Sequence, residues 1–398
     1  MQSSIKALLS LAVLTIILPT FANPIKNFID QHEGQYWLSY RVPLEANNDG
    51  CCFDDNWGSH WRRNCSLAED SREFVGQPNP TLVVDSLQVF IQVDGGEATN
   101  VRSFLANCTV NTANQTVHAL ASVTTEESVE FLTALIDKPN YDEFSKRSLM
   151  TIALHAGNPA QKTLERYASE EAGSKAERER REDAIFWLGN ARNDRGFKYL
   201  TTLFQEVSDT KLRKHIIFAI SINESGEALS TLSTIATKDA NPELRSAALF
   251  WLAESNYPDS LNLILAAIEN DSSYKVRQEA VFNLSRIGSL ESFNELAKLA
   301  QTYPDHRVQT QAIFWLAKSN NSRAKSILID MLHEDHVYAI KEEIVFALSQ
   351  LEPPQATSAL VYVIENSHDS RLVKKALFWL NQSDDPEALA FVASMFSQ

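Results

Sequence analysis

From residue 181 onward one apolar pattern recurs seven times: Ala184-Ile-Phe-Trp-Leu188, Ile216-Ile-Phe-Ala-Ile220, Ala248-Leu-Phe-Trp-Leu252, Ala280-Val-Phe-Asn-Leu284, Ala312-Ile-Phe-Trp-Leu316, Ile344-Val-Phe-Ala-Leu348 and Ala376-Leu-Phe-Trp-Leu380. The phenylalanines at 186, 218, 250, 282, 314, 346 and 378 keep a constant spacing of 32. With 20 Phe in 398 residues, chance yields such a column on the order of once in a hundred million trials, so this is a repeat array. On a helical wheel started at Leu212, the residues Ile216, Ile217, Ala219 and Ile220 share one broad arc, and Phe218 points the opposite way. A helix apolar on two sides needs neighbours on both, as an interior helix of a stack has.

A second amphipathic segment keeps the same period. Leu200, Leu232, Ile264, Leu296, Leu328, Leu360 and Val392 form one column, and a small residue opens the segment at Gly196, Ala228, Ser260, Ser292, Ala324, Ala356 and Ala388. Small residues there let two helix backbones approach closely. Asp-rich turns before the first segment, such as Asp209-Thr-Lys-Leu-Arg213 and Asp369-Ser-Arg-Leu372, supply side chains that cap free helix amides. Two helices of about 11 residues and two short turns fill each 32-residue period.

The order Asp-x-x-[Leu/Val]-Arg, then Ala-[Ile/Val/Leu]-Phe-Trp-Leu, a turn, and Ala-x-x-x-Leu-x-x-[Leu/Ile] resembles the short HEAT-like repeats of the phycobilin-lyase type. It resembles more closely those of exported bacterial HEAT-repeat proteins. The resemblance covers about 280 of 398 residues and implies an α-solenoid in a family of scaffolds, inhibitors and a few lyases. Similar exported repeat proteins are often encoded beside sigma and anti-sigma factors, so it also implies an envelope-signalling partner. The tetratricopeptide and ankyrin signatures, which share nearly this period, are absent.

The N-terminal part differs. Met1 to Ala22 has the order of a secretory signal: Lys6, the apolar run Ala7–Leu18, then small residues at Thr20-Phe-Ala22, so the mature chain is expected to start near Asn23. That places the protein in the periplasm or outside the cell, with no stable membrane insertion after cleavage, because the run is short for a membrane span. Residues 23–117 are expected to form a small β-rich domain of three to five strands. Tyr36–Val42 and Ser86–Val93 have strand composition, and Asp94-Gly-Gly-Glu97 is a hairpin turn signal. Glu45–Pro80 is a long irregular loop.

All four cysteines, Cys51, Cys52, Cys65 and Cys108, fall in this domain. In an exported chain an even count in one small domain points to two disulfides, with one of the adjacent pair Cys51 and Cys52 bonded to Cys65 and the other to Cys108. A zinc site from these thiols with His60 lacks the usual Cys-x-x-Cys spacing. Asp54-Asp-Asn56 is read as a solvated loop rather than a calcium site.

The solenoid is expected to span 118–398 in about nine helical hairpins, because His118-Ala-Leu120 and Ala153-Leu154 place leucines in the slot later held by Leu188. Its last segment ends on Phe391, Met395 and Phe396 without a polar capping helix, so these residues are expected to be partly exposed or to meet a partner or a second copy in a homodimer. The overall fold class is thus mainly α, an α-solenoid carrying a disulfide-bonded β-rich domain.

Two further columns are candidate interaction surface. After the Phe column come Trp187, Ala219, Trp251, Asn283, Trp315, Ala347 and Trp379, so Trp returns every 64 residues. This is either large-small interlocking between repeats or an aromatic row facing a ligand. Arg213, Arg245, Arg277 and Lys341 form a basic column, with Gln309 in the intervening unit. It either bonds the acidic turns of adjacent repeats or binds a ligand. The pair His333 and His336 lies in a turn and lacks the metalloprotease spacing. No nucleophile elbow or phosphate loop occurs, so no catalytic, cofactor-binding or metal-ligating residue is expected.

The net charge of −15 disfavours nucleic acid and anionic membranes as partners. The function expected is an exported scaffold or adaptor whose solenoid presents a concave surface to a protein or peptide. The alternatives are a HEAT-like lyase or other enzyme on a small ligand, and a self-assembling envelope component.

Overall fold

The computed structural model describes residues 23–45, 65–68, 85–255 and 257–395. The expected signal segment, Cys51, Cys52, Asp54-Asp-Asn56, His60 and Phe396 lie outside the described residues. The chain divides into two compact units, one running to Thr163 and the other from Leu164.

In the first unit, α1 (Pro24–Gln31) precedes a four-stranded sheet of β1 (Gln35–Pro43), β2 (Ser86–Asp94), β3 (Glu97–Leu105) and β4 (Val117–Ala119), in the order β3-β2-β1-β4. β1 and β2 are antiparallel with Leu38 opposite Ile91, and β2 and β3 are antiparallel with an irregularity at Gln92/Val93. The β2–β3 turn is the expected one: Gly95 and Gly96 have φ of 58° and 82°, the left-handed values that a two-residue hairpin turn needs.

His118 and Leu120, expected in the first helix of a repeat, are not helical. β4 pairs in parallel with β1, Leu38 facing His118, and the Leu120 N–H donates to the Ser39 carbonyl at 2.8 Å. An open strand edge offers a row of unpaired backbone groups, and pairing with it outweighs one apolar slot that has no second apolar turn behind it. Helix starts only at α2 (Thr125–Ile136), where Thr124 and Glu127 form a reciprocal capping box. Leu154 is in a helix, α3 (Glu143–Leu154), but α3 packs on β3, and the Ser103 and Thr151 hydroxyls share a 2.5 Å hydrogen bond. The compact unit built on the sheet therefore takes in α2 and α3 and reaches well beyond residue 117.

After α4 (Asn158–Ser169), the second unit holds seven helical hairpins among the described residues. Their first helices are α5 (Lys175–Ala191), α7 (Thr210–Ser221), α9 (Pro242–Glu254), α11 (Tyr274–Arg286), α13 (His306–Ala317), α15 (Tyr338–Ser349) and α17 (Ser370–Asn381). Their second helices are α6 (Asn193–Glu206), α8 (Ala228–Lys238), α10 (Ser260–Asn270), α12 (Leu290–Thr302), α14 (Ala324–His333), α16 (Pro353–Asn366) and α18 (Pro386–Met395). The expected caps are present: Asp209 accepts from Leu212 N–H, Asn241 from Glu243 N–H, and Asp369 from Arg371 N–H.

The core is the apolar arc of the first helices. Ala184, Ile216, Ala248, Ala280, Ala312, Ile344 and Ala376 are all fully buried, as are Leu188, Ile220, Leu252, Leu284, Leu316, Leu348 and Leu380. The second helices cover this arc through Leu200, Leu232, Ile264, Leu296, Leu328 and Leu360. At Gly196 a Cβ would overlap the Leu188 carbonyl of α5, which is the close approach expected of the small-residue column. First helices pack against one another from α5 to α17, whereas second helices scarcely meet each other. The first-helix layer is therefore the tight side of the stack, and its outward face carries the phenylalanines.

Candidate functional site

The rings on that face form one continuous row. Phe186 stacks on Phe218 (6.1 Å between centroids) and Phe218 on Trp251 (4.7 Å). The same three-ring group returns as Phe250–Phe282–Trp315 (6.3 and 4.7 Å) and Phe314–Phe346–Trp379 (6.0 and 5.1 Å). Edge-to-face contacts of 5.0 Å within Phe250–Trp251 and Phe314–Trp315 join the groups, and Trp187 meets Phe186 in the same way. Offset and edge-on contacts at these separations are favourable for aromatic rings.

The interlocking of neighbouring repeats is present in the Trp column. Trp251, Trp315 and Trp379 lean over the phenylalanine of the preceding repeat, and all four tryptophans stay half-buried, as do the phenylalanines from 186 to 346. The row is a seam filler with an open face. The 64-residue period extends beyond it. Arg307 lies over the Tyr274 ring at 4.0 Å and Arg371 over the Tyr338 ring at 3.9 Å, and each arginine is also paired with its cap, Asp305 or Asp369.

A groove of about 670 Å³ opens over the middle of the row, lined by Phe218, Phe250, Trp251, Phe282 and Asn283 with charged residues around them. The charges serve one another. Lys214 reaches Glu243 at 2.5 Å, Lys275 lies 3.8 Å from Glu243, and the Ser246 hydroxyl donates to Glu279. The His215 ring donates through Nε2 to the Glu182 carbonyl at 2.8 Å. The hydrogen bond from Lys214, helped by the charges of Lys214 and Lys275, holds the Glu243 carboxyl below its ordinary value.

The basic column takes its structural option at three positions. Arg213 pairs with Asp239 at 2.9 Å, in the turn that leads into the next first helix. Arg245 grips both oxygens of Asp271 at 2.7 Å and donates to the carbonyls of Asp239 and Ala240. Arg277 donates to the Asp271 carbonyl at 2.8 Å. Gln309 donates instead to the Ala300 carbonyl near the end of α12 at 2.9 Å. Burial tends to raise the Asp271 carboxyl, but the Arg245 fork, the Ser273 N–H and the Arg277 charge bring it below the usual carboxylate range. Lys341 is half-buried on α15.

Elsewhere the expected residues are dispersed. No cysteine is free among the described residues; Cys65 is buried against Trp37, Phe90 and Phe104, and Cys108 packs on the same cluster. His333 bonds to the Tyr362 hydroxyl and His336 to Glu334, so the two do not converge. At the C-terminal end Met395 is exposed, as expected, and Phe391 is half-buried.

Two features escaped the sequence. One is a buried chain in the first unit: Tyr40 hydroxyl, Ser128 hydroxyl and His155 Nε2, linked at 2.8 Å each, with His155 Nδ1 at 2.6 Å from the Thr151 carbonyl. A carbonyl only accepts, so Nδ1 carries the proton, Nε2 accepts from Ser128, and Ser128 accepts from Tyr40. All three side chains are shut off from solvent, and burial drives the Tyr40 hydroxyl pKa upward, so the chain ties β1, α2 and α3 together and offers no reaction centre. The other is Asn283, whose amide nitrogen has no partner. Its visible signal was being the one polar residue in a column of Trp and Ala.

Stacked antiparallel helix pairs with a stepped, half-open aromatic face define a short-repeat α-solenoid. Residues 229–317 and 261–349 match the family model described as HEAT repeats, so this stretch of the chain carries HEAT repeats. No curated protein matches it. Among solved structures it is similar to human deoxyhypusine hydroxylase in complex with glycerol, at 16% identity over 65% of this chain and 96% of that one, with a TM-score of 0.27. The complex of CpcE and CpcF of phycocyanin lyase from Nostoc sp. PCC7120 matches at 14% identity over 61% of this chain and 99% of that one, with a TM-score of 0.30. A structure of lipovitellin matches at 13% identity and a TM-score of 0.48, over 77% of this chain but 39% of that one.

Proposed function

We propose that this protein is an exported, periplasmic scaffold that binds a protein or peptide along the first-helix face of its solenoid, in the service of envelope signalling. The observation that carries this reading is the unbroken half-exposed aromatic row from α5 to α17. Core rings would be closed over and an inert surface would be polar; contiguous exposed apolar area of this kind marks contact sites. The surrounding ion pairs keep such a face soluble without closing it.

Export is supported by the order of Met1–Ala22 and by the role of Asn23, which caps α1 through its side chain and donates to the Glu127 carbonyl, so a chain starting there has its first residue anchored. No helix among the described residues is long and apolar enough to cross a membrane. The four cysteines are proposed to form the two disulfides that join Cys65 and Cys108 to Cys51 and Cys52. Fractionation, N-terminal sequencing and mass determination without reductant test these points.

Crosslinking of the mature protein in its native envelope tests the function. A photoreactive residue at Ala247, beside the row, should capture a partner, and one on the outer face of α10 should not. Equal capture at both positions, or none at Ala247, overturns the reading. Self-association through the last hairpin is a second reading, favoured by Phe378, Leu389 and Met395, which are 53%, 48% and 43% exposed. A monomer in sedimentation at micromolar concentration would remove it.

A further inference from the structure

The slot after the phenylalanine holds alanine at 219 and 347, and these small side chains make room for the tryptophan of the next repeat. At 283 the same slot holds asparagine. Alanine at the two equivalent positions shows that the packing asks only for a small side chain there. Asn283 is 2% exposed and lines the groove, and its amide nitrogen makes no hydrogen bond. The indole N–H of Trp315, the ring stacked on Phe282, is likewise buried and unpaired. A buried donor left empty is a standing cost to folding, and in a site it is the group that a ligand satisfies.

The groove does not ask for charge. Its lining carries three lysines, Lys211, Lys214 and Lys275, and three glutamates, Glu182, Glu243 and Glu279, several of them already paired with each other. What stays unmet is an amide over an aromatic floor. A carboxamide complements a peptide unit, since each offers one acceptor and N–H donors in a plane. A helix bonds its own amides internally, whereas an extended chain leaves them free. The volume of about 670 Å³ falls in the range of formed ligand pockets.

We propose that this groove binds an uncharged, extended peptide segment, its backbone bonded to the Asn283 amide and an apolar side chain lying on Phe218, Trp251 and Phe282. This deepens the scaffold reading and rests on it, by naming the partner chemistry of one segment of the row.

The test uses the full mature protein and capped octapeptides with a neutral coumarin label. One set has Gly, Ser and Asn flanking a central Leu, Phe or Tyr. Matched sets place Lys or Glu beside the centre, one set is N-methylated at the centre, and a chito-oligosaccharide is the non-peptide probe. The uncharged set should bind by fluorescence anisotropy, and the charged and N-methylated sets should bind about tenfold more weakly. Asn283→Ala should weaken the uncharged set about tenfold and bring it level with the N-methylated set. It should melt no lower than the wild type, since alanine already fills this slot at 219 and 347. Absence of peptide binding, equal binding to Asn283→Ala, or preference for a charged peptide or the glycan overturns the proposal. Envelope crosslinking from Ala247 that persists in Asn283→Ala would then leave the scaffold reading standing without this site.

Discussion

Replacing Arg245 with methionine tests how the stack is held in register. The guanidinium, 10% exposed, bonds both oxygens of Asp271, itself 8% exposed, and two carbonyls of the preceding turn. Met keeps much of the apolar stem and removes the charge, leaving a buried carboxylate supported by the Ser273 N–H and the Arg277 charge. Breaking a buried pair from one side costs about 3–5 kcal/mol. Because repeats contact only their neighbours, the loss should fall on the seam between α9 and α11, and amides there should lose exchange protection first.

The pH dependence gives the sign. Asp271 has a folded-state pKa below its ordinary value, so the pair contributes stability above the usual carboxylate range and loses it as pH falls through the folded value. In Arg245→Met the Ser273 N–H and the Arg277 charge still lower Asp271, but the Arg245 fork is gone and burial still raises it, so the folded-state value moves up and acidification costs the variant less than the wild type. Urea unfolding followed by tryptophan fluorescence should therefore show a large loss at pH 7 and a smaller one at about pH 4. A loss under about 1 kcal/mol at pH 7, or one that does not shrink on acidification, refutes the buried-pair account. Lys341→Met is the control in the same column and should change stability by less than about 0.5 kcal/mol.

Three other substitutions probe distinct contacts. Gly189 sits against the Ala219 backbone, where any Cβ would overlap, so Gly189→Val should cost about 3 kcal/mol; an unchanged thermal midpoint by circular dichroism would refute the close approach. Trp251→Ala uncovers one side of Phe218 but removes a half-buried ring, so it should cost about 2 kcal/mol, below the 3–5 of a core tryptophan, and leave a helical protein with weakened partner crosslinking. Loss of the fold would place the row in the core. His155→Leu strands the hydroxyl of Ser128 and the Thr151 carbonyl and should cost about 2–3 kcal/mol, read as a lower midpoint in near-ultraviolet circular dichroism; no shift would mean that the buried chain contributes nothing.

The parts of this molecule that were legible in its residues are the local and periodic ones. A 32-residue register, Asp and Asn caps, the Gly95-Gly96 hairpin and the large-small alternation after each phenylalanine all follow from backbone preferences and nearest-neighbour packing, which the order of residues specifies directly. The rest depended on which distant groups meet. His118 became a strand because the edge of β1 was free to take it, and no periodicity records a free edge. Arg213 and Arg245 proved to be taken up by the turn of the next repeat, which required knowing that Arg245 and Asp271 are neighbours. Asn283 was visible as an odd residue in its column, yet its missing hydrogen bond is a property of everything around it. Repetition along the chain determines the stack, and the vacancies within the stack exist only once the repeats have closed on each other.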